Sequence, residues 1–312
     1  MRYVETQLRA GSAPSTTYTH HLPTINARHL AVTFHSPTQH PVVSMLVQHL
    51  KAAHKLRPSK KKLPADYKML AHAWAGRTSS LLGLLKATSA VVAFTVMLRS
   101  KEYCAKSGSS WDPDYQSKRS DISFFSSDDP DHLFPISNVQ DFKADGQHGF
   151  VFKVQGQWSP ATHFLSHATI TIHGDKVGGV VDWKRSISPS ANPICALSAL
   201  LAFMTATAPM PDGSPLFSLP SGYVLSYADM LSDVKGYASA VGYDPAKYGT
   251  HSLRSGGCSA LLAAGVSPDI IRILGRWRSD AFFEYAVPSV YLFRGLAAAV
   301  TRPINLRFLS RV

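Results

Sequence analysis

Apolar residues recur along this chain in two rhythms. Between residues 79 and 105 they are nearly continuous (Leu81, Leu82, Leu84, Leu85, Val91, Val92, Phe94, Val96, Met97 and Leu98), which predicts a buried helix with a break near Thr88. The segment 192–204, NPICALSALLAFM, predicts a second apolar helix, capped at Asn192 and used for core packing. Over 226–241, Met230, Leu231, Val234 and Tyr237 share one side of an amphipathic helix. Strict alternation appears at 168–173, followed by a glycine-bearing turn at 174–179 and a return strand at 180–183, together a hairpin. Residues 1–75 read as mostly helical, around Tyr3, Val4 and Leu8, then Leu22, Ile25 and Leu30, then Val43, Leu46, Val47 and Leu50. The stretch 126–165 reads as a surface insertion with one or two extra strands around Phe150 to Val154. The fold class expected is mainly α with a small antiparallel β-sheet, an α+β arrangement.

The densest chemistry lies at 249–291. His251 and Arg254 are three apart and share a helix face. Gly256 and Gly257 follow, a side-chain-free surface suited to close approach of a backbone or a ligand, and an anion is expected nearby. Gly265 suits the residue just past a helix end, and Ser267-Pro268-Asp269 opens the next helix, whose apolar face is Ile270, Ile271 and Leu274. After Gly275-Arg276-Trp277, Ser279 caps a third short helix that carries Tyr285 and stops at Pro288. Taken singly, each of these is an ordinary residue: a tyrosine near a helix end is most often an amphipathic surface residue.

Charge changes the picture. The 312 residues carry a net charge of +12 and a pI near 9.6, which favours an anionic partner, nucleic acid ahead of membrane, over the blander reading of a basic soluble protein. Lys51, Lys55, Arg57, Lys60, Lys61 and Lys62 form a basic block beside two prolines. It reads equally as a solvated linker or as a phosphate-contacting strap between two domains, and it also fits a nuclear-import signal. Three cysteines without metal-ligand spacing point to a reducing compartment. With no membrane-length apolar run and no signal peptide at the start, a soluble, non-secreted protein is expected. There is no P-loop, zinc pattern or two-metal carboxylate cluster, so no cofactor or metal is expected.

HSLRSGG at 251–257, then a capped helix, then GRWRSD ending in Tyr285, form a compound pattern. It resembles the C-terminal signature of the tyrosine recombinase (phage integrase) family, in wording most similar to the DIRS-like and Crypton-like mobile elements of eukaryotes. The resemblance implies a short helical core-binding domain at 1–75 and a catalytic domain at 76–312, clamped around double-stranded DNA. It implies metal-free, ATP-free cleavage and rejoining through a 3′-phosphotyrosyl link. In that chemistry Tyr285 is the nucleophile, with Tyr291 the alternative; Arg99 and Arg254 clamp the phosphate; His251 handles the tyrosine proton or supports the transition state; Trp277 donates to a phosphate oxygen. Lys176 in the hairpin turn protonates the leaving oxygen, with Lys184 the runner-up. The segment Leu98-Arg99-Ser100-Lys101-Glu102 matches the family's first arginine, oriented by Glu102; the blander reading is a charge pair at a helix end. Arg276, between Gly275 and Trp277, competes with Trp277 for the phosphate. A homotetramer on paired sites follows, with the C-terminal tail as an assembly element or docked on its own domain. The setting is nuclear if eukaryotic, otherwise cytoplasmic. Two other activities share the pattern: relaxation of DNA in the manner of a type IB topoisomerase, and a domesticated, catalytically silent DNA-binding protein.

Overall fold

The structure, a computed structural model, describes residues 62–106, 110–173 and 182–277, together with Thr24 and Met45. The chain divides into two compact units, 1–61 and 62–312, and the account that follows concerns the second.

Helix α1 (Tyr67–Ala75) starts where Asp66 accepts the Met69 N–H at 3.1 Å, an N-cap that satisfies one of the orphan donors of the first turn. The other carboxylate oxygen of Asp66 accepts the Tyr243 hydroxyl at 2.6 Å. Helix α2 (Leu81–Thr95) is capped by Ser80 and runs unbroken through Thr88. The expected break is absent because the Thr88 hydroxyl is satisfied across the packing interface by the Ala199 carbonyl, at 3.4 Å. The helix ends well before residue 105. Met97 takes a left-handed φ of 53°, which reverses the chain, and after Arg99 a single turn forms as α3 (Ser100–Tyr103). The predicted long helix is therefore two pieces, with Arg99 as the residue that opens the second.

Two three-stranded antiparallel sheets follow. In the first, β1 (Ile122–Ser126), β5 (Leu165–Ile172) and β6 (Trp183–Ile187) lie in the order β1-β5-β6, with Phe124 opposite Ala168 and Ala168 opposite Ile187. Ala168, Ile170 and Ile172 face the core, the alternation read from sequence. A described return strand runs over 183–187 and pairs Trp183 with Ile172; residues 174–181, to which the turn read at 174–179 and the start of the strand read at 180–183 belong, lie outside the described residues.

The second sheet corrects the reading of 126–165 as a surface insertion. Strands β2 (Val139–Asp145), β3 (Gly149–Val154) and β4 (Gln157–Pro160) pair in sequence order, and Phe150 and Phe152 are completely or almost completely buried. Phe150 packs edge-on against Trp74, 5.5 Å between centroids, and the sheet rests on helix α4 (Ala196–Ala206). Polar flanks hid two core positions of a period-two strand.

Helix α4 opens at Cys195, not at Asn192, whose side-chain Oδ1 accepts the Ile194 N–H at 2.9 Å in a preceding turn. Helix α5 (Tyr227–Ala240) begins with a Ser226–Asp229 capping box. Helices α6 (His251–Ala263) and α7 (Pro268–Leu274) complete the described chain. Gly265 between them has φ 79°, and Ser267 caps α7 by accepting from Ile270 N–H. The apolar face of α7 is narrower than expected: Ile271 is buried and Leu274 packs beside it, while Ile270 and Ile273 are exposed. The whole is mainly helical with small antiparallel sheets, and α2 sits at its centre against α1, α4 and α6. Among the described residues no helix is long and apolar enough to cross a membrane.

Candidate active site

The site begins with two glycines. A Cβ on Gly256 would strike the Ala65 carbonyl and the Phe94 ring, and one on Gly257 would strike the Phe94 carbonyl. The close approach expected at this pair is therefore made by the protein's own backbone, and no ligand space is left there. What the glycines achieve is the seating of α6 on α2, which carries Arg254 into the interior at 2% exposure.

There the Arg254 guanidinium donates to the carbonyls of Met97 and Gly275 and lies 4.2 Å above the Trp277 ring, a cation–π contact. Met97 and Arg276 are both left-handed, φ 53° and 57°, and these turns aim their neighbourhood's carbonyls at the guanidinium. Strained backbone of this kind persists only where surrounding contacts over-determine it. Gly275 is required because a Cβ there would overlap the Trp277 ring.

Arg99 approaches from α3. Its backbone N–H donates to Glu102 Oε2 at 2.7 Å, its Nη1 to Oε1 at 2.8 Å, and its Nη2 to the Arg276 carbonyl at 3.1 Å. Glu102 is buried and also takes Arg276 Nη2 at 2.6 Å. One carboxylate thus orients two guanidiniums in charge-assisted bonds. Burial pushes the Arg276 guanidinium down to about 10, against the opposing pull of Glu102, and Arg99 and Arg185 add to the depression by like charge. Between Arg276 and Trp277, it is Arg276 that turns inward to Glu102, and Trp277 that lies under Arg254.

His251 and Arg254 differ in depth: His251, first residue of α6, is exposed whereas Arg254 is buried. Lys184 is exposed on β6 opposite Thr171. Lys62, last of the basic block, donates to the Ala246 carbonyl at 2.6 Å. Lys176, Tyr285, Tyr291, Lys51, Lys55, Arg57, Lys60 and Lys61 lie outside the described residues.

Two further groups were not anticipated. Arg185 on β6 donates to the Ile273 carbonyl at the end of α7. His173, at the end of β5, has Nδ1 2.8 Å from Asp182 Oδ1 and Nε2 in a 2.8 Å ion-pair contact with Asp121 Oδ1. Burial opposes its protonation, but the Asp182 and Asp121 carboxylates outweigh burial and raise its pKa. The doubly protonated ring carries the positive charge that both carboxylates favour. Asp121 lies in the segment SKRSDISFF at 117–125, and nothing in the sequence linked it to a histidine more than fifty residues later.

No protein-family profile and no curated protein matches the chain. Among solved structures it is similar to XerA recombinase, with a TM-score of 0.45 and 14% identity over 97% of this chain and 91% of that one. It is similar also to the Tn1549 transposon integrase in complex with circular-intermediate DNA, TM-score 0.48 and 13% identity over 96% of this chain and 83% of that one. The same integrase with transposon right-end DNA gives TM-score 0.48 and 13% identity, over 96% and 84%. The likeness is one of chain course. The chemistry has to be read from the side chains: an arginine pair, a buried orienting carboxylate and an indole, gathered from three distant segments around one turn.

Proposed function

We propose that this protein is a tyrosine-type DNA strand transferase, a recombinase or integrase that cuts and rejoins DNA through a 3′-phosphotyrosyl link. The observation that carries this reading is the meeting of Arg99, Glu102, Arg254 and Trp277 at the 275–277 turn. These residues were singled out from separate stretches of sequence, and an ordinary core does not collect guanidiniums.

In the proposed reaction the Tyr285 oxygen attacks the phosphorus, a phosphotyrosyl bond forms and the P–O5′ bond breaks. The phenol proton leaves by way of His251, and Lys176 supplies a proton to the departing 5′ oxygen. Arg99 and Arg254 balance the charge that builds on the non-bridging oxygens, as fixed, pre-oriented donors do in a water-poor site. Glu102 and Arg276 are positioning groups in this scheme, and Trp277 packs Arg254. The aryl phosphate retains the energy of the broken bond, so rejoining needs no nucleotide. The wording of the 251–285 segment supports a mobile-element enzyme, acting as a tetramer on paired sites, with the 51–62 basic block as a DNA strap.

The test is incubation of the full chain with nicked suicide duplexes, scoring a covalent protein–DNA adduct. The expected result is an adduct in wild type and none in Tyr285→Phe. An adduct that survives in Tyr285→Phe removes the nucleophile assignment. DNA binding with no adduct on any element-derived site supports the silent DNA-binding reading instead.

A further inference from the structure

Three guanidiniums from three separate elements meet the carboxyl end of α7. Arg185 of β6 donates to the Ile273 carbonyl, Arg254 of α6 to Gly275, and Arg99 at the head of α3 to Arg276. A helix end offers partial negative charge and attracts a cation in its last turn, but that accounts for one arginine rather than for this gathering. Arg276 adds a fourth guanidinium, and Glu102 is salt-bridged to Arg99 and Arg276. Arg185 has no carboxylate contact among the described residues. Its Nε is buried without a hydrogen-bond partner, as are Nε and Nη1 of Arg276. Arg185 itself is half-buried on β6; an unused donor on a partly desolvated guanidinium is costly, and an incoming anion would offset that cost.

We propose that Arg185 holds a second DNA phosphate, next along the strand from the one clamped by Arg99 and Arg254. The proposal rests on the DNA-cleavage reading for the identity of its ligand. Arg185 is anchored on the Ile273 carbonyl, whereas Arg254 and Arg99 are anchored on Gly275 and Arg276, so its guanidinium approaches the turn from a different place than the clamp pair. Arg185 also sits on β6, which begins seven residues after Lys176 in the sequence, so the phosphate contact would lie close in sequence to the proposed general acid. Its guanidinium, 5.7 Å from the Trp183 ring centroid and tied to Ile273, is held in place before DNA arrives.

A phosphate contact leaves a signature that a merely structural tie does not: the dependence of DNA affinity on salt. The full chain is titrated with a 30-base-pair random-sequence duplex over a series of salt concentrations. Arg185→Gln is expected to flatten the slope of log K against log salt by about 0.9, the value for one released contact. Arg99→Gln is expected to do the same, and the double variant to lose about 1.8. Arg185→Lys keeps the charge and stays near the wild-type slope. If Arg185→Gln does not fold, Arg185→Met, which keeps the stem, takes its place. An unchanged slope makes Arg185 a strut between β6 and α7 and overturns the proposal. A double variant no flatter than either single one places both arginines on one phosphate and overturns it too. None of these readings requires cleavage, so failure of the adduct assay and failure of this inference remain separate results.

Discussion

The centre of the molecule is built in two opposite ways within a few residues of each other. Along α2 and α4, Leu85, Ala87, Ala90, Val92, Leu197, Ala199, Leu200 and Phe203 are completely buried and apolar, so stability there comes from close packing and the removal of apolar surface from water. One turn beyond the end of α2, at Met97, packing gives way to guanidiniums, a carboxylate and two left-handed residues. The first region tolerates loss of function-neutral detail and no loss of volume. The second stores strain and desolvated charge, and is held because its members satisfy one another.

Substitutions can set the two regions against each other. The largest loss is expected for Phe152→Ala, about 3–5 kcal/mol, seen as a lower denaturation midpoint, with the salt dependence of DNA binding unchanged in the protein that remains folded. Glu102→Ala should cost a similar amount, about 3–5 kcal/mol, because it strands the buried Arg276 guanidinium; here adduct formation should fall as well. If Glu102→Ala proves as harmless as a surface change, the polar centre is not the mutually dependent unit described.

Next in size is Gly257→Ala, expected to cost about 1–3 kcal/mol by overpacking α6 against the Phe94 carbonyl. It links the regions, since α6 carries Arg254, and an equal stability without loss of adduct would separate them. His173 gives a pH-dependent effect. Its pKa is raised in the folded protein, so its contribution is full below the ordinary imidazole value of about 6.5 and disappears as the pH rises through the folded value. The stability gap between wild type and His173→Asn should therefore be wider at acidic than at alkaline pH, and a constant gap would refute the imidazolium bridge. Smallest is Gln155→Gly in the β3–β4 turn, where φ is 50°; relief of the left-handed strain should stabilise by about 1 kcal/mol, with no effect on DNA.

The apolar rhythm of 79–105 and 192–204 announced the core helices because burial on all sides leaves a continuous apolar run. It misplaced their ends. Nothing in Val96-Met97-Leu98 marks a left-handed residue, whose conformation is imposed by Arg254 and the α6 contact rather than by local preference. The sheet at 139–160 was underestimated because its core positions, Phe150 and Phe152, are few and flanked by polar turns. For the candidate site, Arg99, Glu102, Arg254 and Trp277 were singled out because the resemblance to a family motif pointed to them; spacing alone paired His251 with Arg254 and left Arg99 with Glu102 as a charge pair at a helix end. Arg185 was not, because a lone arginine on a strand looks like any exposed charge until its bond to the Ile273 carbonyl is seen.

The position of α2 has a consequence for how the chain is made. Its buried faces are covered by α4, about a hundred residues later, and by α6, later still. Contacts so distant in sequence slow folding. As the polypeptide leaves the ribosome, a long apolar helix waits without its partners, in the kind of state that aggregates or calls on chaperones. Fragments ending before residue 196 should therefore be insoluble, and the arginine centre should be among the last parts of the protein to take shape.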